Sequence, residues 1–151
     1  MGKRATCGLA LAASALLLGA AGTTAATGPS TIRITDVQQA HRVADGGPDG
    51  AGLGDVEAVR VKLYNPSVTS KSIGHGEMVC TFLDRRSRSC NGTYSLPRGK
   101  IVVGGVITSR LLYELAVVGG TGLYDNARGS LTVTATKLRP RHEILLFRLT
   151  G

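Results

Sequence analysis

Positions 117 to 129 of the chain read Val117-Val118-Gly119-Gly120-Thr121-Gly122-Leu123-Tyr124-Asp125-Asn126-Ala127-Arg128-Gly129. The segment before them is apolar and β-branched at its end, and Ser130 to Thr136 after them alternates polar and apolar residues, so both flanks are typical of β-strands. Glycines allow positive φ angles and close backbone approach that other residues resist. The pattern predicts two strands joined by a tight corner of fixed shape. Its structural glycines are Gly119, Gly120, Gly122 and Gly129.

Gly120-Thr121-Gly122 partly matches the glycine fingerprint of dinucleotide-binding proteins. That fingerprint needs a third glycine, and Asp125 occupies its position. It also needs a helix whose N-terminus receives the pyrophosphate, whereas a period-two strand follows here. The pattern therefore excludes a dinucleotide site at this corner.

The rest of the chain carries the same strand signals. Short β-branched segments alternate with Gly and Pro turns, and no segment sustains a period of 3.6 residues. The predicted strands are Thr31 to His41, Ala58 to Asn65, Gly76 to Leu83, Ser89 to Leu96, Lys100 to Ile107, Leu111 to Val118, Arg128 to Thr136 and Arg141 to Leu149. An all-β fold follows, and periodicity does not choose between a sandwich and a closed barrel. Arg42 to Asp55 is predicted to be a long polar loop, either a lid or a mobile segment.

The same glycine-rich segment carries a family resemblance. Its pattern Val-Val-Gly-Gly-Thr-Gly-Leu-Tyr-x-x-Ala-Arg-Gly closely resembles the signature of the dirigent and allene oxide cyclase-like barrel proteins. Upstream, Val79-Cys80-Thr81 and the segment from Cys90 to Gly105 resemble the bacterial secreted branch of that family. The resemblance covers Glu77 to the end of the chain. It implies an eight-stranded antiparallel β-barrel, whose interior is just wide enough to be filled by side chains or to hold one small ligand.

The first 26 residues have the composition of a secretory signal peptide. Lys3 and Arg4 precede an apolar run from Leu9 to Ala21, and small residues follow it up to Ala26. The apolar run is shorter than the ~20 residues that a spanning helix needs, which argues against a stable membrane anchor. We predict cleavage near Ala26, export to the extracellular space and one barrel domain over residues 27–151.

The charge of the chain bears on its partners. The formal charge is +8, and loss of Lys3 and Arg4 with the signal peptide would leave 16 basic residues against 10 acidic ones, or +6. Such a charge favours anionic surfaces, but the basic residues are scattered, aromatic residues are scarce and Trp is absent. We therefore expect a well-solvated surface and no nucleic-acid partner.

Cys80 and Cys90 are the two cysteines that remain once the signal peptide is removed. A three-residue tip, Asp84 to Arg86, pairs Leu83 with Ser87 and, counted outward, sets the two cysteines opposite each other on a hairpin. Opposed residues of an antiparallel pair lie ~4.5–5.5 Å apart at Cα, at or near the disulfide range. Because exported proteins meet an oxidising compartment, we predict a structural disulfide.

Asp36 is the candidate catalytic residue. It shares a face of the first strand with Ile32 and Ile34, so it points into the barrel if the isoleucines do. A carboxyl group inside an apolar cavity has a raised pKa and can exchange a proton with a ligand. The alternative is a position near the barrel mouth, where Asp36 is solvated or paired with an arginine. By resemblance, Asp36 matches a first-strand aspartate implicated in catalysis in lignan-forming dirigent proteins. The second such position is Leu123 here, with Asp125 the nearest acid, which disfavours the radical-coupling chemistry of the plant proteins.

Three further residues are candidates for ligand binding. Tyr94 and Tyr124 could line the cavity, and core packing explains them equally well. Arg128 matches the arginine of the Ala-Arg-Gly motif, and it could instead hold carbonyl groups of the corner or pair with Asp125. The three histidines are far apart in the sequence, without ligand-like spacing, so no metal site is predicted. The sequence contains neither a Walker loop nor a nucleophile elbow.

The resemblance sets the functional expectation. It implies an exported barrel that binds a small hydrophobic molecule in its lumen and, as a cyclase or dirigent-like protein, steers its cyclisation or coupling without a cofactor. Two alternatives stay open: a carrier without turnover, and a cell-surface structural barrel filled by side chains. A cavity with one or two convergent polar groups would favour the enzyme. Plant relatives form trimers, so a homo-oligomer, dimer or trimer, is a further expectation.

Overall fold

The computed structural model of the chain describes residues 29–47, 52–66 and 71–150. They form eight β-strands: β1 Thr31–Ala44, β2 Val56–Tyr64, β3 Gly74–Phe82, β4 Arg88–Leu96, β5 Gly99–Ile107, β6 Leu112–Gly122, β7 Arg128–Ala135 and β8 His142–Thr150. Each strand pairs antiparallel with the next, and β8 pairs with β1, so the sheet closes into a barrel. The prediction of an all-β, eight-stranded antiparallel barrel is confirmed.

β6 extends through three glycines that the sequence analysis assigned to the corner. Gly119, Gly120 and Gly122 pair with β5, and a register shift lies beside Gly119. They are therefore strand residues next to a bulge, and the corner itself is Leu123 to Ala127. The predicted strand end at Val118 is wrong, because a glycine that permits a turn also permits close approach of two strands. The end of the barrel at which this corner lies is called the corner end below.

The glycines around the corner are required for steric reasons. Gly122 has a φ of 63°, and a Cβ there would lie 2.5 Å from the carbonyl oxygen of Arg98. Gly120 has no room either, since a Cβ would overlap the carbonyl oxygen of Tyr124. Gly129 has a φ of 131° and lies against the backbone of β8. Backbone atoms cannot rotate away as a side chain can, so the corner has a fixed shape.

Inward-facing side chains fill the barrel from the corner end to its middle. They are apolar because they alternate with outward-facing polar residues along each strand. The core contains Ile34, Leu63, Tyr94, Ile101, Val103, Leu115, Val117, Leu131, Val133, Leu145, Phe147 and Leu149. This half of the barrel is therefore filled by packed side chains and supports the other half.

β3 and β4 form the hairpin that the cysteine spacing predicts. The N–H of Leu83 donates to the carbonyl oxygen of Ser87 at 2.9 Å, and Cys80 pairs directly with Cys90. The two sulfur atoms are bonded, with Cα atoms 4.0 Å apart, and both cysteines are buried. The predicted disulfide is confirmed, and it crosses the inner wall of the barrel.

The N-terminal prediction and part of the polar loop lie outside the described residues. These are the signal peptide, residues 1–26, and residues 48–51. In the described part of the chain, no helix is long and apolar enough to cross a membrane. The loop is shorter than predicted, because β1 continues to Ala44 and β2 begins at Val56. Buried Asp55 accepts hydrogen bonds from the N–H groups of Gly46 at 3.0 Å and Gly52 at 2.8 Å, so it ties the two sides of the loop together.

Candidate active site

The end of the barrel opposite the corner contains a cavity of about 390 Å³. β1, β3, β5 and β7 end there, and β2, β4, β6 and β8 begin there; this is called the cavity end below. Apolar lining comes from Val59, Val61 and Met78. Polar lining includes Asp36, His41, Glu57, Arg88, Tyr94, Tyr113, Arg141 and Glu143. The volume and the mixed lining are typical of small-molecule sites.

The structure places Asp36 on the wall of this cavity, where the sequence pattern puts it. The residue is only 2% exposed, and its Oδ1 accepts a hydrogen bond from the backbone N–H of Glu143 at 3.1 Å. Burial, and next the neighbouring charge of Glu143, raise the pKa of Asp36 from its ordinary 3.8 to about 8. Asp36 is therefore mostly protonated at neutral pH, so it can act as a proton donor.

Glu143 lies beside Asp36 and is held by two neighbours. The Tyr113 hydroxyl donates to Glu143 Oε2 at 3.1 Å, and Arg141 Nε donates to Oε1 at 2.8 Å. Arg141 also donates to the carbonyl oxygen of Arg110 at 2.7 Å, which links the β5–β6 loop to the β7–β8 loop. Burial, and then Glu143, raise the pKa of Tyr113 far above its usual range. Tyr113 therefore remains a hydroxyl donor at every pH at which the protein would work.

Tyr94 forms part of the cavity lining toward the packed core. Its ring meets the ring of Phe147 edge-on, with centroids 5.4 Å apart. Gly76 on β3 makes room for it, because a Cβ there would lie 2.8 Å from the Tyr94 ring. Burial raises the pKa of Tyr94 well above its ordinary value, so its hydroxyl stays protonated. Among the described residues, that hydroxyl has no hydrogen-bond partner.

A second polar cluster lines the same cavity. A β-bulge after Gln38 returns His41 to the inner face of β1, where its Nε2 lies 2.7 Å from Glu57 Oε1. Arg88 Nε lies 3.2 Å from Glu57 Oε2, but its N–H is not directed at that oxygen, so the contact is an ion pair without a hydrogen bond. The guanidinium of Arg88 also lies over the ring of Phe82, 6.0 Å from its centroid.

Two of the predicted ligand-binding residues are placed elsewhere. Tyr124 is buried in the core at the corner end, and it does not line the cavity. Arg128 is at the corner too, where its NH1 donates to the carbonyl oxygen of Ala127 at 2.9 Å. Arg128 thus holds a corner carbonyl, which is the structural alternative of the sequence analysis. Of the three candidates, only Tyr94 shares the cavity with Asp36.

Six of the eight polar lining residues named above were not candidates in the sequence analysis: His41, Glu57, Arg88, Tyr113, Arg141 and Glu143. The period-two pattern could have found Tyr113 and Glu143, because each shares a strand face with buried leucines. Glu57 precedes the predicted start of its strand, and Arg88 belongs to a basic cluster typical of a hairpin tip. Within the described ranges, no three His, Cys, Asp or Glu side chains are grouped as a metal site requires.

Comparison with solved structures finds the same barrel fold in other proteins. A pyocyanin demethylase is 25% identical, with a TM-score of 0.66, and the match covers 76% of this chain and 97% of that one. A pterocarpan synthase dirigent protein is 16% identical, with a TM-score of 0.66, over 80% of this chain and 86% of the other. A Diels-Alderase from Streptomyces koyangensis is 16% identical, with a TM-score of 0.61, over 78% of this chain and 64% of that one.

These likenesses show a dirigent/cyclase-like barrel fold. No protein-family model and no curated protein matches the chain.

Proposed function

We propose that this protein is an exported, cofactor-independent enzyme that binds a small, largely apolar molecule at the cavity end and promotes its cyclisation or isomerisation by proton transfer. The proposal is carried by Asp36, a carboxyl group that is protonated at neutral pH on the wall of a cavity inside the barrel. It is supported by the likeness to a pyocyanin demethylase, a dirigent protein and a Diels-Alderase.

Asp36 and Tyr94 each offer a hydrogen-bonding group to a bound molecule. Within the described residues, Asp36 Oδ2 and the Tyr94 hydroxyl form no hydrogen bond, although both residues line the cavity. Tyr113 is different, because its hydroxyl already donates a hydrogen bond to Glu143, which fixes its position. Asp36 and Tyr94 therefore face the ligand, while Tyr113, Glu143 and Arg141 hold the wall in place.

The chemistry follows from this arrangement. Asp36 donates its proton to a basic atom of the ligand as charge develops there, and it takes a proton back when the product forms. The proton is returned, so the step consumes no oxidant or reductant. The apolar wall limits the conformers that the ligand can adopt and keeps water from competing, which supplies the remaining catalytic effect.

Export is the second part of the proposal. It is supported by the signal-peptide pattern and by the disulfide between Cys80 and Cys90, since such bonds persist in oxidising compartments. We expect the mature chain in the culture medium to begin near Ala26, as read by N-terminal sequencing. Recovery of a chain that retains Met1 from the cytoplasm would contradict export without affecting the proposed chemistry.

The activity test begins with native mass spectrometry of protein purified from its own host, to find a co-purifying small molecule. That molecule, and a panel of conjugated compounds that includes pyocyanin, are then incubated with the protein and followed by absorbance and mass spectrometry. We expect an isomeric product from at least one of them, with turnover lost in Asp36→Asn. Asp125→Asn, a matched change at the exposed corner, should retain full activity.

Binding without turnover would contradict the enzymatic proposal and favour a carrier. Equal turnover by the parent protein and by Asp36→Asn would contradict the role of the carboxyl group. Absence of any binding would favour the structural barrel.

A further inference from the structure

The cavity end has two polar walls, of which the proposed chemistry uses one. Asp36 on β1 and Glu143 on β8 form the first, and Glu57 on β2 with Arg88 on β4 forms the second. In the closed order of eight strands, β4 lies opposite β8. A molecule in the cavity therefore meets a carboxyl group on one side and a guanidinium on the other.

Arg88 is a largely buried cation whose N–H groups form no hydrogen bond within the described residues. Its side chain is 11% exposed, and its Nε is buried without a hydrogen-bond acceptor among the described residues. The guanidinium has five N–H donors, and none of them donates to a described residue. Buried donors without acceptors are costly, and in native structures each such group requires an explanation.

The position of Arg88 is fixed although its donors are free. Phe82, its direct partner on β3, lies under the guanidinium, and Glu57 lies beside it. Glu57 Oε1 is already engaged by His41. The charge of Arg88 is thus held at the cavity wall by contacts that leave its hydrogen-bonding capacity for a molecule in the cavity.

The mouth of the cavity adds positive charge. Arg110 and Arg139 line it, both are exposed, and neither forms an ion pair with a described residue. Arg141 is balanced by Glu143 and Arg88 by Glu57, and Asp36 contributes no negative charge while it is protonated. An anion that enters the cavity is therefore attracted by the arginines at the mouth and meets, inside, a guanidinium whose hydrogen-bond donors are not used.

We infer that the ligand of this cavity is a largely apolar molecule that carries one anionic oxygen group, such as a carboxylate or a sulfonate, and that Arg88 binds this group. Guanidinium and carboxylate geometries match through two parallel hydrogen bonds, which gives orientation as well as affinity. Anchored at Arg88, the molecule presents its opposite end to Asp36. The inference rests on the proposed binding of a small molecule in the cavity.

Two fluorescent probes of nearly equal shape test it. 8-Anilinonaphthalene-1-sulfonate carries an anionic group, and N-phenyl-1-naphthylamine is the same ring system without it; both brighten in apolar surroundings. We expect the wild-type protein to bind the sulfonate at least about tenfold more tightly, and the neutral probe to displace it from the same cavity. Arg88→Gln should abolish this preference while binding of the neutral probe stays within about twofold.

Two further variants serve as controls. Arg33→Gln removes one positive charge from the exposed outer face of β1, and it should leave both affinities unchanged. Arg88→Lys keeps the charge but loses the two-pronged geometry, so the sulfonate should bind more weakly than to the wild type while the neutral probe is unaffected. If Arg88→Gln no longer binds the neutral probe either, the affinities of Arg88→Lys for the two probes decide whether Arg88 binds the anionic group.

The outcomes separate this inference from the proposal on which it rests. If the neutral probe binds but the sulfonate binds no tighter, or if the Arg88 variants bind the sulfonate as the wild type does, the inference is overturned and the cavity remains a binding site for neutral molecules. If neither probe binds the wild type, binding in the cavity is itself contradicted, and the inference falls with it.

Discussion

The corner end and the cavity end of this barrel are made from the same eight strands and differ in what they bury. At the corner end, backbone atoms approach so closely that Gly120 and Gly122 have no room for a Cβ, and apolar side chains fill the interior. At the cavity end, the buried carboxyl groups of Asp36 and Glu57 and the half-buried guanidinium of Arg88 surround open space. The difference shows that close packing at the corner end fixes the shape of the barrel, so that the cavity end can contain charged side chains around a cavity.

Substitution of Gly120 at the corner end should have the largest effect on the stability of the protein. Gly120→Ala should cost more than about 5 kcal/mol and abolish folding, because the new Cβ overlaps the carbonyl oxygen of Tyr124. Gly119→Ala is the matched control, since its Cβ would approach nothing closer than 3.9 Å. It should cost less than about 1 kcal/mol. Urea denaturation of both variants checks the difference, and equal stability would mean that the corner is not a rigid support.

Asp36→Asn should make the protein more stable than the wild type at high pH, through an effect confined to the cavity end. The pKa of Asp36 in the folded protein, about 8, exceeds its ordinary value of 3.8, so the folded state binds the extra proton between these values. Stability of the wild type therefore falls as pH rises from about 4 to 8, by roughly 5 kcal/mol at ~1.4 kcal/mol per pKa unit. Asp36→Asn has no carboxyl group to titrate at this position, so its stability does not fall with pH in this way.

Urea denaturation of wild type and Asp36→Asn at pH 5 and pH 9 measures the effect. The variant should gain stability relative to the wild type as the pH rises. A constant difference between the two proteins across this range would show that Asp36 does not titrate there.

Reduction of the disulfide has a smaller expected effect. Cys80 and Cys90 close a short loop, with a sequence separation of 10, and its loss should cost ~2–3 kcal/mol in the chain-entropy model. Denaturation with and without reductant measures this on an unchanged sequence. Alkylation of two thiols in native, unreduced protein would contradict the bond itself.

Tyr113→Phe should have the smallest effect of the four. It removes one hydrogen bond to Glu143, whose other oxygen remains bound by Arg141. We expect a loss of about 1 kcal/mol in urea denaturation and a barrel that still binds its ligand. Loss of ligand binding at unchanged stability would show instead that the Tyr113 hydroxyl contacts the ligand directly.

Much of the corner end could be predicted from the sequence, since its determinants are local. Glycine spacing and strand alternation depend on residues close in the chain. The same locality holds for one feature of the cavity end, where counting outward from a three-residue hairpin tip paired Cys80 with Cys90. The strand limits around Gly119 were missed, because a bulge depends on the neighbouring strand as well as on the glycine.

The cavity end could be predicted only in part. The period of two placed Asp36 on the inner face, but His41 reaches that face through a β-bulge that no local pattern indicates. The pairing of Arg88 with Glu57 joins residues far apart in the chain through strand register. Tyr124 and Arg128, chosen for their motif, belong to the corner end, because the motif records architecture and not the site.

The proposed function depends on Asp36 being a protonated acid in a ligand cavity at neutral pH. A ¹³C NMR titration of aspartate side-chain carboxyl carbons tests it most directly, with the Asp36 signal assigned by its loss in Asp36→Asn. We expect a midpoint near 8 for this carboxyl group. A midpoint near the ordinary value of about 4 would show a solvated, ionised aspartate and would contradict the proposed chemistry.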